Sequence, residues 1–301
     1  MKTLVSVIVP TYNRWPMLGE AIESVLGQSF KGFELIVVDD GSEDGTAQNL
    51  MKYSSELRVL SQPRRGVAGA RNVGARSSSG RYLAFLDSDD LWQPKKLEIQ
   101  VGFMEGRPEA QICQTEEVWM RRGQRVNPRK KHRKPSGDIF RASLDLCLVS
   151  PSAVMVTRDL FQKVGGFDEA FSVCEDYDLW LRIAVDTPVY LIPDPLVLKR
   201  GGHQDQLSRS TWGLDRFRVL AIKKLLDTGL QGEKRMWAIG VLAKKVAVLA
   251  HGARKRGKED EALIYERLLS EFIGEIGYGR PGDCCLRRSE GLAQTDSRSV
   301  A

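Results

Sequence analysis

The sequence RYLAFLDSDDLW, residues 81–92, runs from an apolar stretch into three carboxylates within four positions. Carboxylates held this close raise one another's pKa, so they need a stabilising partner. A divalent cation with oxygen ligands, often shared with a phosphate, is the usual partner. Side chains alternate along an extended chain, which places Asp87 and Asp89 on one side, within reach of a single ion. The alternative is an acidic loop that only caps the helix following Pro94.

The composition is that of an ordinary globular protein, with 301 residues, 42% hydrophobic and 28% charged. No run approaches eighteen apolar residues, so no transmembrane helix is expected. The apolar N-terminus lacks a small-residue cleavage pattern, which favours a first strand over a signal peptide. Five cysteines without metal-ligand or redox spacing indicate a reducing cytoplasm.

Apolar runs that alternate with helical patterns predict the fold class. Residues 5–9, 35–38 and 58–60 read as strands, and an apolar stripe at residues 18–26 has the spacing of a helix laid on a sheet. Strands and helices in alternation predict an α/β fold, a Rossmann-like and mostly parallel sheet flanked by helices. Ligands of such sheets bind at the carboxyl ends of the strands, where both acidic clusters, 39–40 and 87–90, fall.

Two further segments carry candidate site residues. Residues 66–76 are rich in small side chains, so as a helix they could approach the sheet closely and project Arg71 toward the ligand edge. Their glycines do not match the dinucleotide fingerprint, which disfavours a nicotinamide cofactor. Residues 174–182 begin a helix with Asp176 in its first turn, where the helix dipole favours an ionised carboxylate able to accept a proton. The alternative for Asp176 is a plain helix cap.

Positive charge is concentrated in residues 121–134, which hold eight Lys and Arg and no acid, while the rest of the chain has a net charge of −2. Pro128, Pro135 and two glycines within residues 121–137 predict that the basic segment is a loop. It is either a solvated surface or a lip that attracts an anionic acceptor, nucleotide phosphates or an anionic membrane. Nucleic acid is disfavoured because no aromatic residues are interleaved for base stacking.

The second half of the chain departs from the strand–helix alternation. Residues 193–200 predict a short edge strand, followed by a glycine-flanked loop with His203. We expect a main domain at 1–212, a helical C-terminal region at 213–280 and a disordered tail at 281–301. Residues 237–258 mix apolar and basic side chains, for which packing on the main domain is favoured over peripheral membrane contact.

Six segments together resemble glycosyltransferase family 2. In chain order they are SVIVPTYNR (6–14), FELIVVDDGS (33–42), ARNVG (70–74), FLDSDD (85–90), GGFDE (165–169) and EDYDLWLR (175–182). Each is weak alone, but the six appear in the family's order across roughly residues 4 to 210. The resemblance implies a GT-A fold, a nucleoside-diphosphate-sugar donor and inversion at the anomeric carbon by direct displacement.

The resemblance also implies which residues bind the donor. The substrate-binding set is Pro10, Tyr12, Asp40, Arg71, Asp87 and Ser88. Within it, Pro10 and Tyr12 are expected near the base and ribose. Asp40 and Arg71 are expected on the nucleobase, and Asp87 near the ribose or sugar.

The resemblance assigns the chemistry to four further residues. Asp89 is expected to bind Mn²⁺ or Mg²⁺, and His203 sits where many relatives have a histidine that contacts the metal or a phosphate. Asp176 is expected to be the catalytic base. Its neighbour Glu175 is expected to hydrogen-bond the acceptor or to position the base.

The sequence therefore predicts an inverting, metal-dependent glycosyltransferase with a nucleoside-diphosphate-sugar donor, UDP favoured, and a polysaccharide, lipid-linked or protein acceptor. It would work in the cytoplasm, with peripheral contact at the inner membrane face left open, and without nucleic acid. The alternative is a non-catalytic module that binds an anionic polymer or membrane through residues 121–134. A nucleotidyltransferase is disfavoured because no glycine- and lysine-rich phosphate loop follows the first strand.

Overall fold

A nine-stranded sheet forms the centre of the protein in a computed structural model that describes residues 3–127, 129–202 and 213–273. The strands are β1 (Val5–Thr11), β2 (Phe33–Asp39), β3 (Arg58–Ser61), β4 (Tyr82–Phe85), β5 (Leu91–Trp92), β6 (Ile112–Arg121), β7 (Gln124–Val126), β8 (Val154–Thr157) and β9 (Tyr190–Gly201). Their order is β3-β2-β1-β4-β8-β6-β9-β5, and β7 pairs with β6 outside this path. His203 and the predicted tail lie outside the described residues.

The sheet is parallel in its first half and mixed in its second. Strand β1 pairs in parallel with β2 and β4, and β2 with β3, so the first half has the predicted Rossmann-like arrangement. Strand β8 then runs antiparallel to both β4 and β6. Strand β9 is parallel to β6 and antiparallel to β5. The predicted α/β class is confirmed, and every antiparallel pair among these nine strands includes β6, β8 or β9.

Helices cover the sheet. In the first two thirds of the chain they are α1 (Met17–Leu26), α2 (Thr46–Leu50), α3 (Gly66–Arg76), α4 (Lys96–Glu105), α5 (Phe140–Asp145), α6 (Arg158–Lys163) and α7 (Glu175–Ala184). The small residues of α3 are required by its distance from β1. A Cβ atom added at Gly74 would lie 2.5 Å from Ile8 Cγ2, so the helix could not approach this closely with a larger residue there.

Strand β9 differs from its prediction as a short edge strand. It has twelve residues and lies between β6 and β5, so it is not an edge. Strand β5, which follows the carboxylates at 87–90, pairs with β9 through Leu91–Leu198 and Trp92–Val197. Local sequence patterns do not predict this pairing, because the two strands are about a hundred positions apart in the sequence.

The basic segment is also more ordered than the predicted loop. Its first residue, Arg121, ends β6, and β7 returns antiparallel to it. The turn between them consists of Arg122 and Gly123, with φ angles of 50° and 75°, which is the backbone that tight hairpins require. The prediction of a loop is therefore wrong for residues 121–126.

The C-terminal helices α8 (Asp215–Asp227), α9 (Gly232–Lys255) and α10 (Glu259–Ile273) share the core of the sheet domain. Ile222 of α8 and Leu242 of α9 belong to the same apolar cluster as Trp180 of α7. Lys224 adds ion pairs of 2.6 Å to Asp168 and 3.0 Å to Asp178.

Helix α9 is the one helix of the described residues that is long and apolar enough to cross a membrane, judged by length and composition alone. Of its most apolar stretch, 44% is buried inside the protein. Ala238, Leu242 and Ala253 are fully buried on its inner face. Such burial is also typical of a core helix.

Helix α4 carries a buried lysine next to Trp92 of β5. Lys96 is fully buried, its Nζ donates to Gln100 Oε1 at 2.6 Å, and it lies 3.9 Å from the centre of the Trp92 ring. Burial lowers the pKa of Lys96 to about 7. The ammonium form is therefore costly in the folded protein near neutral pH.

We predict that Lys96→Met changes how stability depends on pH. The pKa of an unfolded lysine is about 10.4, so between pH 7 and 10 the unfolded chain binds more protons and wild-type stability rises with pH. Relative to the variant, wild type should gain up to about 1.4 kcal/mol per pH unit across this window. Urea unfolding of both proteins at several pH values measures the difference. Parallel pH profiles would contradict the buried-charge interpretation.

Candidate active site

A cavity of about 750 Å³ opens at the carboxyl edge of the parallel strands. It is lined by the end of β1, the start of α3, the loop at 87–90, the start of α7, and parts of β9 and α8. Nine of the ten predicted site residues line it: Pro10, Tyr12, Asp40, Arg71, Asp87, Ser88, Asp89, Glu175 and Asp176. The tenth, His203, lies outside the described residues.

Arg71 joins two walls of this cavity. Its Nη1 donates to Glu175 Oε1 and its Nη2 to Asp87 Oδ1, both at 2.6 Å. The Arg71 side chain is only 4% exposed. Burial alone would lower the pKa of Arg71, but Asp87 and Glu175 outweigh it and raise that pKa above its usual range. One buried cation therefore fixes the distance between the loop at 87–90, which we call the carboxylate loop, and the start of α7.

The start of α7 presents two adjacent carboxyl groups with different surroundings. Glu175 is buried, and burial together with the charge of Asp176 raises the pKa of Glu175 to about 7, against the opposing effect of Arg71. Asp176 is half-buried and reaches the cavity. Its Oδ1 accepts from the backbone N–H of Tyr177 at 2.7 Å. The carboxylate of Asp176 therefore lies at the positive end of the helix dipole.

A thiol holds the other oxygen of Asp176. Cys147 Sγ lies 3.4 Å from Asp176 Oδ2 and 3.3 Å from the carbonyl oxygen of Val149, and these two acceptors share its single proton. Burial and the neighbouring Asp176 raise the pKa of Cys147 well above its usual value, so the thiol stays protonated and remains a donor. Both oxygens of Asp176 are thereby oriented by the protein.

The three carboxylates of the loop can each bring one oxygen within 4.8 Å of the others. Asp90 is the anchor, because it is 1% exposed and accepts from Ser152 Oγ at 2.7 Å and from the backbone N–H of Arg200 at 2.9 Å. Burial raises the pKa of Asp90 well above its usual range. Asp87 and Asp89 are half-buried and face the cavity, and they are the two candidate ligands for a cation, although Asp87 also pairs with Arg71 and Asp89 with Arg14.

Basic residues that sequence reasoning missed also line the cavity. Arg14 Nη1 lies 2.9 Å from Asp89 Oδ2, and Arg200 donates from Nε to the backbone carbonyl of Asp89. Lys199 donates to Ser150 Oγ at 3.0 Å. Arg14 is the last residue of the segment 6–14, which carries part of the family resemblance, so the sequence does contain a pattern that marks it. No local sequence pattern marks Lys199 and Arg200. They are about 110 positions from the loop in the sequence, and strand β9 places them next to it.

Lys199 keeps its charge in spite of its position. Burial alone would lower the pKa of Lys199, but the carboxylates of Glu117, Asp90, Asp87 and Asp176 outweigh it and raise that pKa above its usual range. The lysine therefore offsets part of the negative charge that the site concentrates.

Asp40 anchors the beginning of α3. Its carboxylate is 4% exposed and accepts from the backbone N–H groups of Arg65 and Gly66, each at 2.8 Å. Gln62 Nε2 donates to it at 2.6 Å. These bonds satisfy N–H groups at the start of a helix and place the helix that carries Arg71.

The model of the family described as Glycosyl transferase family 2 matches residues 6–165. A beta-1,3-glucosyltransferase of Escherichia coli, WfgD, is 32% identical over 222 residues, which cover 72% of this chain and 82% of that protein. The chain belongs to glycosyltransferase family 2. The family predicted from the sequence is thereby confirmed, and with it the enzyme class.

Other relatives are matched over less of their length. An uncharacterized glycosyltransferase of Rickettsia felis is 38% identical over 190 residues, which cover 60% of this chain and 30% of that protein. The uncharacterized glycosyltransferase RP339 of Rickettsia prowazekii is 31% identical, with 65% of this chain and 64% of that protein covered. The chain thus spans about a third to just under two thirds of these relatives.

Two solved structures share the fold. Residues 1–349 of S. aureus TarS, in complex with UDP-GlcNAc, align with a TM-score of 0.62 at 18% identity and cover 90% of this chain and 92% of that chain. The mannosyltransferase PcManGT of Pyrobaculum calidifontis, in complex with GDP-Man and Mn²⁺, aligns with a TM-score of 0.53 at 20% identity, covering 90% and 87%. The fold predicted from the sequence, that of GT-A glycosyltransferases, is confirmed.

Proposed function

We propose that the chain is an inverting glycosyltransferase that moves a sugar from a nucleoside-diphosphate sugar, UDP favoured, to a hydroxyl of a polysaccharide, lipid-linked or protein acceptor. The observation that carries the proposal is the pairing, across one cavity, of a carboxylate loop with a carboxylate at the start of α7. The name of WfgD, which includes a UDP-Glc donor, and the UDP-GlcNAc complex of TarS support a UDP donor.

The donor half of the site fits a divalent cation, Mn²⁺ or Mg²⁺. Asp89 and Asp87 would hold it, because clustered carboxylate oxygens are the ligands that such ions prefer. Such a cation, when bound, neutralises the charge that develops on a diphosphate leaving group. The Mn²⁺ complex of PcManGT supports this choice. His203 is proposed as a further metal or phosphate contact.

Positively charged side chains surround the donor half of the site. Arg14 forms an ion pair with the carboxylate of Asp89, and Arg200 donates a hydrogen bond to its backbone carbonyl. Lys199 interacts electrostatically with Asp87 and Asp90 of the same loop. A leaving diphosphate would therefore meet positive charge that is in place before the reaction begins. Such preorganisation stabilises a transition state without a cost of reorientation.

The acceptor half is assigned to Asp176 as the general base. Its carboxylate takes the proton of the acceptor hydroxyl while that oxygen attacks the anomeric carbon, and the bond from this carbon to the diphosphate breaks. Attack opposite the leaving group inverts the configuration. Glu175 and Arg71 position this base relative to the donor, since Arg71 bonds directly to Glu175 and to Asp87.

The proposal includes the cellular location of the enzyme and the kind of product it helps to make. We place it in the cytoplasm, where nucleotide sugars are made, or in peripheral contact with the inner face of a membrane. The TuaG relative of Bacillus subtilis, 45% identical over 107 residues, is named as a putative teichuronic acid biosynthesis glycosyltransferase, which supports a role in envelope polysaccharides. We retain residues 1–212 as the proposed catalytic region and 213–280 as a helical region attached to it.

We predict that Asp176→Asn lowers the rate of sugar transfer by about 10²- to 10⁴-fold, the usual contribution of a general base, because the amide does not accept the hydroxyl proton. Affinity for the nucleotide should change less than about twofold, since the donor half is untouched. Release of nucleoside diphosphate from a panel of sugar nucleotides measures the rate. Asp186→Asn, at an exposed residue beyond the other end of α7, is the charge-matched control. A wild-type rate in Asp176→Asn would refute the assignment of the base.

We predict that Asp89→Ala weakens metal-dependent nucleotide binding by at least about tenfold, because one of the two proposed metal ligands is lost. Calorimetric titration of UDP, GDP and dTDP, each with and without Mn²⁺, measures it. Asp194→Ala removes an exposed carboxylate on β9 and serves as the control. Equal affinities with and without Mn²⁺ in wild type and variant would exclude a metal at this loop.

A further inference from the structure

A buried ion pair lies beside the cavity without lining it. Lys134 Nζ is 3.1 Å from Glu117 Oε1, and the two side chains are 7% and 2% exposed. Lys134 also donates to the carbonyl oxygen of Thr115 at 2.9 Å, and Trp119 Nε1 donates to Glu117 Oε2 at 3.0 Å. Neither charged residue is among those that line the cavity. Apolar side chains in place of a buried ion pair often cost no stability, so stability alone does not account for Glu117 and Lys134.

The strand register places Lys199 next to this ion pair. Strands β6 and β9 are parallel, with Glu117 opposite Val197 and Trp119 opposite Lys199. Side chains two positions apart on a strand point to the same face, so Glu117 and Lys199 are diagonal neighbours on one face of the sheet. The register shifts on both sides of Glu116, and bulges of this kind change the direction of the side chains that follow.

One serine connects the ion pair to Lys199. Lys199 Nζ donates to Ser150 Oγ at 3.0 Å, and Ser150 is 6% exposed. Burial alone would raise the pKa of Glu117, but Lys199, Lys134 and a hydrogen bond from Ser150 outweigh it and lower that pKa to about 2. Glu117 therefore stays ionised, and Ser150 lies between its carboxylate and the ammonium of Lys199.

Lys199 is the member of this network that reaches the cavity. It is half-buried and lines the cavity wall. The segment 147–152, which contains its hydrogen-bond partner, touches both halves of the site. Cys147 Sγ lies 3.4 Å from the carboxylate of the proposed base, and Ser152 Oγ donates to Asp90 of the carboxylate loop at 2.7 Å. Lys199 therefore lies between the proposed base and the carboxylate loop.

The ammonium of Lys199 is kept apart from the carboxylates around it. Within the part of the chain that the structure describes, no carboxylate forms an ion pair with Lys199, and its hydrogen-bond partner is the hydroxyl of Ser150. Glu117 attracts it toward β6, whereas Asp87 and Asp90 attract it toward the carboxylate loop. An ammonium has three N–H donors, so two of them are available to a ligand in the cavity.

We propose that Glu117 is a positioning residue for the donor: acting through Ser150, it holds the ammonium of Lys199 at the cavity wall, where Lys199 binds the diphosphate. This inference rests on the proposed function. Without the charge of Glu117, Lys199 would move into an ion pair with the carboxylate loop, and fewer of its N–H groups would face phosphate oxygens. Lys134 supplies the counter-charge that allows Glu117 to be ionised while buried. A nucleoside without phosphates should not depend on Glu117.

The test compares the affinity for UDP with that for uridine, which lacks the diphosphate, by calorimetric titration of the full chain with Mn²⁺. The variants are Lys199→Met, the pair variant Glu117→Gln/Lys134→Met, and the combination of all three substitutions. The pair variant removes one negative and one positive charge, so the net charge beside the cavity is unchanged. The control, Lys223→Met/Glu271→Gln, removes an ion pair of 2.8 Å between the C-terminal helices.

We expect Lys199→Met to raise the Kd of UDP about tenfold, because a charge-assisted contact is lost, and to leave the Kd of uridine within about twofold. The pair variant should raise the Kd of UDP at least about threefold, also without an effect on uridine. In the Lys199→Met background, the pair substitutions should change the Kd of UDP less than about twofold, because Glu117 acts through Lys199. The control should match wild type.

Wild-type binding, measured first, separates the two proposals. If wild type binds none of UDP, GDP and dTDP with Mn²⁺, the proposed function fails and the inference with it; if it prefers GDP or dTDP, that nucleotide and its nucleoside replace UDP and uridine. Unchanged UDP affinity in Lys199→Met would overturn the inference alone. An equal loss on the pair substitutions with and without Lys199→Met would assign Glu117 a purely structural role and also overturn it. Should the pair variant not fold, Ser150→Ala removes only the linking hydroxyl and must show the same selective loss.

Discussion

The guanidinium of Arg71 between Asp87 and Glu175 is the interaction on which the site depends. It lies where α3, the carboxylate loop and the start of α7 meet, and burial makes its two ion pairs obligatory, because an unpaired charge there would cost several kcal/mol. The small residues of α3 allow this approach, and Asp40 holds the helix at its beginning. Arg71 therefore joins the proposed donor half to the proposed base as one unit.

Basic side chains and carboxylates alternate around Arg71 and its two carboxylate partners. Carboxylates of the loop and of α7 face Arg14, Lys199 and Arg200. Repulsion within the carboxylate cluster is thus offset partly by the protein. The remaining negative charge at Asp87 and Asp89 is what a bound cation would neutralise.

Much of the fold and of the site could be predicted from the sequence because the relevant signals are local. Continuous apolar runs and the stripe of α1 indicated the parallel half, and the shared edge of parallel strands explains why Asp40 and Asp89 line one cavity. Asp176 reaches the same cavity from the start of α7. What was missed is non-local: the full length of β9 and the approach of Lys199 depend on strand pairing over about a hundred residues. The hairpin was missed because its turn uses Arg122 with a positive φ, where the usual signal is asparagine or aspartate.

The most direct test of the coupling through Arg71 is a double-mutant cycle in unfolding free energy with Asp87→Asn, Glu175→Gln and both together. Each single variant leaves Arg71 one carboxylate partner, whereas the double variant leaves a buried cation with none. We predict that the double variant loses more stability than the sum of the single losses, by about 1–3 kcal/mol. Losses that add within about 0.5 kcal/mol would contradict the claim that Arg71 links the two halves of the site.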